Sequence, residues 1–557
     1  MTEQLSQLFD EIWEWQMETD PLSATFYGDH RYNDRLPSLR LEDIEEQATK
    51  KREFVEKLQQ INVDELKQTD QINHKIMHRL LDEKLQSFHF NMHLMPLSQV
   101  HGFHVYLPEL PNYTVLRAAK DYEMYITRLQ KIPQYIEEHI ELMRVGLQKG
   151  CTLPKVALSS CTKSISTQAK QKVDENPLFQ PFLKIPVTIE NGQELKESGE
   201  QAVQEIQQSY QNFLQFLSEE YITNTREEIG ISAIPNGKAC YEFLVKSQTT
   251  LDVTPQEVHD IGLREVERIK AEMLKILEQV NFSGDLEQFC KFLHSDERFY
   301  AKSEKQLLAE VSFILKTMDG KLPQLFSHLP RTPYGIKKVP DQVAARMPAA
   351  YYMPAPGDGN GAGFYFVNTY NLESRPLYEL EALSLHEAVP GHHLQIAIQQ
   401  ELTELPKFRR FARFLGFLEG WALYCEKLGK EIGFYEDPYS DFGRLSFEMW
   451  RACRLVVDTG LHYFGWSRQQ AIDYLSSHSS LTKHSVTVEV DRYISLPGQA
   501  VSYKMGELKV SALRKLAEEG LQEKFCVREF HHVFLKEGAI PLNILEENIK
   551  SYVAQGK

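Results

Sequence analysis

The chain lacks the long apolar runs that a membrane-spanning helix needs. No segment of its 557 residues reaches the roughly 18 continuous apolar side chains of such a helix. The first twenty residues are acidic and amphipathic, without the basic start and apolar centre of a secretory signal. We therefore expect no membrane partner and a cytoplasmic location.

Cysteine is scarce, and the seven that occur show no pairing pattern. An odd, scattered set with no C-x-x-C pair fits reduced thiols and argues against a disulfide framework or a thiolate metal site. The cysteines are Cys151, Cys161, Cys240, Cys290, Cys425, Cys453 and Cys526.

Positive charge is in deficit, with 62 Lys and Arg against 78 Asp and Glu and a net charge of −16. This balance disfavours nucleic acid as a partner. No linker, repeat or low-complexity tract divides the chain, and apolar residues recur at three- and four-residue spacing along most of it. We predict a mainly α fold that forms a single domain over 1–557. Within this domain the chain could form two lobes, about 1–250 and 251–557.

One segment carries a zinc-peptidase motif with an insertion. In H-E-x-x-H on one helix, the two histidines ligate zinc and the glutamate is the general base for a metal-activated water. Here His386 and Glu387 are followed by Ala-Val, then by Pro390 and Gly391, and only then by His392. Removal of the Pro-Gly pair restores the motif.

Helix geometry shows why the insertion must distort the backbone. On an unbroken helix His386 and His392 would lie about 120° apart around the axis, and His386 and His393 about 10 Å apart along it. Neither pair could hold one ion. Pro390 disrupts a helix and Gly391 has unusual backbone freedom. We predict a local bulge that brings His392 toward His386, with His393 as the alternative ligand or as a residue behind the ligands.

A second segment, 416–426, has the spacing of a buried helix with two carboxylates on one face. Carboxylates on an apolar helix are costly unless they are paired or bind a metal. Catalytic zinc takes three protein ligands and leaves a position for water. We therefore predict Glu419 as the third ligand and Glu426 as a residue that orients the ligands from behind. Pairing of a buried glutamate with a nearby arginine is the alternative.

A short strand is predicted at 363–368, after a glycine-rich turn and before the metal motif. As an edge strand it would bind the backbone of a substrate by strand addition, with Asn368 near the substrate. A hairpin in the core is the alternative.

Two downstream segments supply donors for the negative charge that develops during amide hydrolysis. Tyr503 is predicted as the oxyanion donor and His462 as a second one. Asp458 lies four residues before His462 on the same helical face and is predicted to orient the metal ligands. Arg492 and Lys504 are predicted to hold a substrate carboxylate. For each, an ordinary packing or ion-pairing role is the alternative.

The stretches HEAVPGHHLQ, EGWALYCE, RLVVDTGLH and RYISLPGQAVSYKMG are similar to those of the domain-of-unknown-function 885 family. This largely bacterial group is regarded as zinc metallopeptidases and more distantly resembles helical gluzincins such as angiotensin-converting enzyme and thimet oligopeptidase. The resemblance implies a large helical body with a small β element beside the metal helix. It also implies His386, His392 and Glu419 as ligands of one zinc ion, with Glu387 as the base.

We therefore expect a zinc metallopeptidase that cleaves short peptides. One alternative is a zinc amidase acting on a non-peptide amide, which would use the same groups. The other is a helical metal-binding protein without catalysis.

Overall fold

The predicted helical spacing is confirmed by the computed structural model, which describes residues 2–99, 101–345, 347–355 and 361–556. The backbone is mainly α-helical with one small sheet. The chain divides into two units, Met1–Tyr241 with Val488–Pro497 and Glu242–Thr487 with Gly498–Lys557. The first unit thus includes a short segment from the C-terminal half of the chain. Among the described residues, no helix combines the length and apolar character required to cross a bilayer.

The first unit is built on two long amphipathic helices, Ala119–Lys149 and Gly192–Phe216, whose apolar faces contribute to its core. Aromatic side chains fill this core, including Phe103, Tyr125, Tyr210 and Phe213, all inaccessible to solvent. The helices are α1 (Thr2–Thr19), α2 (Pro21–Phe26), α3 (Leu41–Gln59), α4 (Gln68–His89), α5 (Phe103–Tyr106), α6 (Leu110–Tyr113), α7 (Ala119–Lys149), α8 (Lys155–Lys170), α9 (Gly192–Phe216) and α10 (Ile222–Asn224).

The second unit carries the motif segments. Its helices, two of which cross a unit boundary, are α11 (Gly237–Thr249), α12 (Pro255–Gln279), α13 (Leu286–Ser295), α14 (Glu304–Leu325), α15 (Asp341–Ala344), α16 (Leu380–Glu387), α17 (His392–Glu401), α18 (Lys407–Phe411), α19 (Leu415–Leu428), α20 (Pro438–His462), α21 (Arg468–His478), α22 (Lys483–Ser495), α23 (Ser502–Leu521), α24 (Val527–Leu535) and α25 (Leu542–Gly556).

Helix α12 shows how local signals set these boundaries. Thr254 accepts a hydrogen bond from the backbone N–H of Glu257, whose side chain accepts one from Thr254 N–H in return. Pro255 follows the cap at the first helical position, where its missing N–H costs nothing. At Gly262 an added Cβ would lie 2.7 Å from the Leu455 side chain, so glycine allows α12 and α20 to approach closely.

The small sheet lies just before the metal motif in sequence. Its strands are β1 (Tyr334–Lys338), β2 (Ala350–Met353) and β3 (Gly363–Val367), in the order β1-β3-β2. Strand β3 pairs in parallel with β1 and antiparallel with β2. The predicted strand is therefore present, but its assignment as an edge strand is wrong, because both of its sides are hydrogen-bonded. Part of the glycine-rich turn, 356–360, lies outside the described residues.

Asn368 holds the end of this sheet instead of facing a substrate. Its side chain is completely buried. Its amide nitrogen donates to the carbonyl oxygens of Ala344, Met347 and Pro348 at 2.8, 3.0 and 3.0 Å. The predicted contact with substrate is therefore wrong for this conformation, since the donors are already used within the fold.

Candidate metal centre

The metal motif lies on two helices separated by a break. Helix α16 ends at Glu387 and α17 begins at His392, so the structure contains a four-residue interruption, 388–391, where we predicted a bulge in one helix. Trp421 on α19 donates its indole N–H to Pro390 O at 2.9 Å. A Cβ on Gly391 would lie 1.9 Å from His386 O, so only glycine fits this close approach.

This break brings three side chains together: His386, His392 and Glu419. Glu419 Oε2 lies 3.5 Å from His386 Nε2 and 3.6 Å from His392 Nε2. These separations are too long for strong hydrogen bonds. They are close to the ligand–ligand edge of about 3.3 Å that a zinc tetrahedron with bonds near 2.05 Å would have.

A second observation, an unpartnered carboxylate oxygen, indicates that these donors suit a divalent metal. Glu419 Oε2 is buried and has no hydrogen-bond partner among the described residues. An orphaned buried carboxylate oxygen is costly unless a cation satisfies it. Burial raises the pKa of Glu419, but the neighbouring imidazoles outweigh burial and hold that pKa well below its ordinary value. Two imidazole nitrogens and one carboxylate are a zinc-type donor set.

Glu426 contacts the other ring nitrogen of His386. Its Oε1 lies 2.7 Å from His386 Nδ1, which fixes Nδ1 as the protonated nitrogen and turns Nε2 toward Glu419. Burial lowers the pKa of His386, but the neighbouring carboxylates of Glu419 and Glu426 outweigh it and raise the pKa to about 9. A metal ion would therefore have to displace a proton from this ring.

Glu387 is the last residue of α16 and adjoins both imidazoles without ligating alongside them. Burial raises its pKa more than the imidazoles of His386 and His392 lower it. A carboxylate whose proton affinity is raised, placed beside a metal-type donor set, has the properties of a general base.

His393 points away from this cluster. Its Nδ1 lies 2.9 Å from the hydroxyl of Tyr352 on β2, and its ring centroid lies 4.8 Å from that of Tyr334 on β1. The structure thus separates the two adjacent histidines: His392 joins the metal-type cluster, and His393 ties α17 to the sheet.

Tyr503 lies on α23, which packs closely against the helix that carries Glu419. An added Cβ on Gly420 would lie 2.5 Å from Gly506, three residues after Tyr503. The Tyr503 ring is half-buried and lies 4.5 Å from the Arg454 guanidinium. Tyr503 therefore lies on a helix that packs against α19, which carries Glu419, so it remains a candidate donor.

The predicted carboxylate clamp is not formed by Arg492 and Lys504. Lys504 is completely buried. Its Nζ contacts Glu507, Glu448 and Glu265 at 2.7, 2.8 and 3.2 Å. Arg492 Nη2 lies 2.8 Å from Glu489 Oε2. The prediction for Lys504 is wrong, because three carboxylates inside the fold already neutralise this ammonium group.

Asp458 and His462 are both completely buried on α20. Asp458 Oδ1 accepts a hydrogen bond from the backbone N–H of Gly498 at 3.0 Å. This bond fixes the turn before α23, and neither residue belongs to the metal-type cluster. Their predicted roles at the metal and at the oxyanion gain no support from these positions.

Sequence reasoning missed Arg451 and Tyr352. Arg451 Nη2 lies 3.4 Å from Glu426 Oε1, and Tyr352 bonds to His393. The available signal for Arg451 was its position on a largely apolar helix, seven residues before Asp458 and thus on the same helical face. No local pattern marked Tyr352, because its partner lies on a different element.

The family described as "Bacterial protein of unknown function (DUF885)" matches residues 21–549. Similar solved structures include a "putative lipoprotein" from Colwellia psychrerythraea, with 29% identity, a TM-score of 0.94, and coverage of 100% of this chain and 99% of that chain. A "putative lipoprotein of unknown function" from Shewanella oneidensis has 16% identity and a TM-score of 0.77, over 98% of this chain and 99% of that chain. This second likeness shows the fold alone. No curated protein matches the chain.

Proposed function

We propose that this protein, which belongs to the DUF885 family, is a zinc-dependent hydrolase of short peptides. The observation that carries the proposal is the buried Glu419 Oε2, which has no hydrogen-bond partner among the described residues and lies within 3.6 Å of two imidazole Nε2 atoms. His386, His392 and Glu419 would hold one zinc ion. Bound there, zinc would polarise a carbonyl group and make a water molecule more acidic.

Glu387 supplies the proton transfers in this proposal. Its carboxylate takes a proton from the attacking water and later delivers it to the leaving amine nitrogen. Burial raises the pKa of Glu387, and this favours the first step because a carboxylate of higher pKa is a stronger proton acceptor. Tyr503 is the proposed donor to the carbonyl oxygen as negative charge develops.

The substrate backbone is proposed to lie along β2, the strand at one edge of the sheet. Strand β2 pairs with β3 on one side, and Tyr352 connects it to His393, next to the metal-type cluster. An extended peptide added to the other side of β2 would run near α17, the helix that begins with His392. Strand addition favours unfolded peptides over folded proteins, because it needs an extended backbone.

A zinc amidase with a non-peptide substrate would use the same residues and is the second candidate. A metal-binding protein without catalysis is the third, and the presence of Glu387 beside the cluster argues against it. The cytoplasmic location stays a prediction, since two proteins of similar structure are described as lipoproteins.

Two measurements on purified protein test the proposal: zinc content after dialysis, and digestion of a mixed peptide library followed by mass spectrometry. We expect about one zinc per chain, as in a three-ligand catalytic site, and cleavage of short peptides. His392→Ala should abolish zinc binding, whereas the matched variant His393→Ala should retain it with weakened packing. A wild-type protein that binds no zinc would refute the proposal. Zinc binding with no peptide cleaved would leave the amidase or the binding protein.

A further inference from the structure

One buried cation near the candidate metal centre has no role in the chemistry proposed above. Arg451 on α20 is 5% exposed. Its guanidinium group lies 4.7 Å from the Phe447 ring centroid and 5.0 Å from that of Trp450. Its Nε and Nη1 have no hydrogen-bond partner among the described residues. Burial of a guanidinium group with so few hydrogen bonds is energetically unfavourable. Its presence therefore suggests a functional role for Arg451.

The remaining nitrogen of this guanidinium group faces Glu426. Arg451 Nη2 lies 3.4 Å from Glu426 Oε1, the same oxygen that lies 2.7 Å from His386 Nδ1. Glu426 is itself 3% exposed, so water does not compete for this oxygen. The contacts form a chain from Arg451 through Glu426 to His386, whose Nε2 faces Glu419.

The Glu426 backbone is held separately. The hydroxyl of Tyr435 donates to Glu426 O at 2.7 Å, so the helix position does not depend on Arg451. What Arg451 restrains is the carboxylate group. A carboxylate that accepts from both a guanidinium group and an imidazole has one preferred rotamer, and this rotamer determines the direction of the imidazole lone pair.

We infer that Arg451 is a positioning residue that holds the Glu426 carboxylate against His386 and thereby sets the affinity of the centre for zinc. The inference rests on the proposed zinc function. It assigns Arg451 no contact with substrate. It also explains why a cation is kept in a buried position among carboxylates: the cation lowers the cost of the buried Glu426 charge that orients His386.

The test measures the dissociation constant for zinc by competition with a chromophoric chelator. Arg451→Met should weaken zinc binding about 10-fold, the lower end of the range for residues behind metal ligands. Glu426→Gln should weaken it by about 10-fold to 100-fold. If Arg451 acts through Glu426, the double variant should bind zinc no more weakly than Glu426→Gln alone.

Arg444→Met is the matched control. Arg444 is a second buried arginine on α20, 3% exposed, and its Nη2 is paired with Asp441 Oδ1 at 2.7 Å. We expect this variant to lose stability without a change in zinc affinity. If Arg451→Met does not fold, Arg451→Gln, which keeps hydrogen-bond donors but no charge, takes its place with the same expected direction.

A second readout is the visible spectrum of the cobalt-substituted protein. Arg451→Met should shift the cobalt bands, as Glu426→Gln does, because both change the orientation of one ligand. Three results would overturn the inference: a zinc affinity within twofold of wild type, losses that multiply in the double variant, or a raised KM with unchanged zinc affinity. The last would make Arg451 a substrate contact. Absence of zinc binding by the wild type would instead refute the proposed function.

Discussion

Two buried polar clusters in the second unit differ in how completely they are satisfied. The Lys504 cluster consists of Lys504, Glu265, Glu448 and Glu507, and its ammonium nitrogen lies within 3.2 Å of three carboxylates. The metal-type cluster consists of His386, His392 and Glu419. There the closest approaches between carboxylate and imidazole atoms are 3.5 and 3.6 Å, and one buried carboxylate oxygen has no hydrogen-bond partner in the described part of the chain.

We interpret this difference as one between a structural ion cluster and the proposed metal site. Buried charges that satisfy each other recover much of their desolvation cost within the fold. Buried polar groups that lie close together without hydrogen-bonding keep an uncompensated desolvation energy, and a bound ligand can compensate it. Both clusters contain titratable residues from several helices. The distances and the unpaired oxygen are what favour the second cluster as the proposed cation site.

The largest expected effect is that of Glu387→Gln on turnover. The amide keeps the size of the side chain but cannot accept and deliver a proton, so kcat should fall roughly 10⁴-fold. Zinc content and thermal stability should stay near wild type, since Glu387 is not one of the three clustered donors. Steady-state kinetics on a cleaved library peptide measures this. Near-normal turnover would show that Glu387 is not the general base and would weaken the proposed catalytic role of the metal-type cluster.

Lys504→Met should affect stability where Glu387→Gln affects turnover. Removal of the ammonium group takes the cation from the buried Glu507 carboxylate, although Glu265 and Glu448 keep Arg268 as a partner. The free energy of unfolding should therefore fall by about 3–5 kcal/mol. Zinc affinity of the folded fraction should not change. Lys509→Met is the control, because the partly exposed Lys509–Glu546 pair should contribute about 0–1 kcal/mol. Urea titrations of both variants measure the difference, and equal losses would contradict it.

Gly391→Ala should weaken zinc binding by about 10-fold to 100-fold, comparable to the loss of a residue that orients a ligand. The added Cβ would lie 1.9 Å from His386 O, so the break between the two histidines must shift. The control is Gly320→Ala on α14, where no atom beyond the neighbouring residues and the local helix backbone lies within 4 Å of the new Cβ. That change should stabilise the helix by about 0.5–1 kcal/mol. Chelator competition and thermal unfolding distinguish the two, and unchanged zinc affinity in Gly391→Ala would argue against the helix break as a determinant of the centre.

The smallest expected effect is that of Arg492→Ala. Its guanidinium group is paired with Glu489, three residues earlier on α22, and such helical pairs contribute about 0.3–0.5 kcal/mol. We expect kcat/KM to change less than twofold for a peptide with a free C-terminus and for its amidated copy alike. A selective loss on the free acid would restore the predicted carboxylate clamp for this arginine.

Much of the fold was accessible from local patterns. Apolar spacing predicts helices because the period of 3.6 residues is a property of the helix itself. The cap at Thr254 and the break at Pro390 and Gly391 depend on a few neighbouring residues. The strand at 363–367 was also predictable, but not its place in the sheet, because the strand order depends on pairing with segments earlier in the chain.

The candidate site shows the same division. The sequence by itself determined the chemical types of the site, two histidines around an insertion and two glutamates, because these follow from residue identity and from the motif. Only the tertiary structure decided that His392 and not His393 faces Glu419, and that Lys504 is neutralised by Glu265 and Glu448. The reason is physical: the charge state and direction of a buried side chain depend on partners from other helices, and those partners are fixed by packing between segments far apart in the chain.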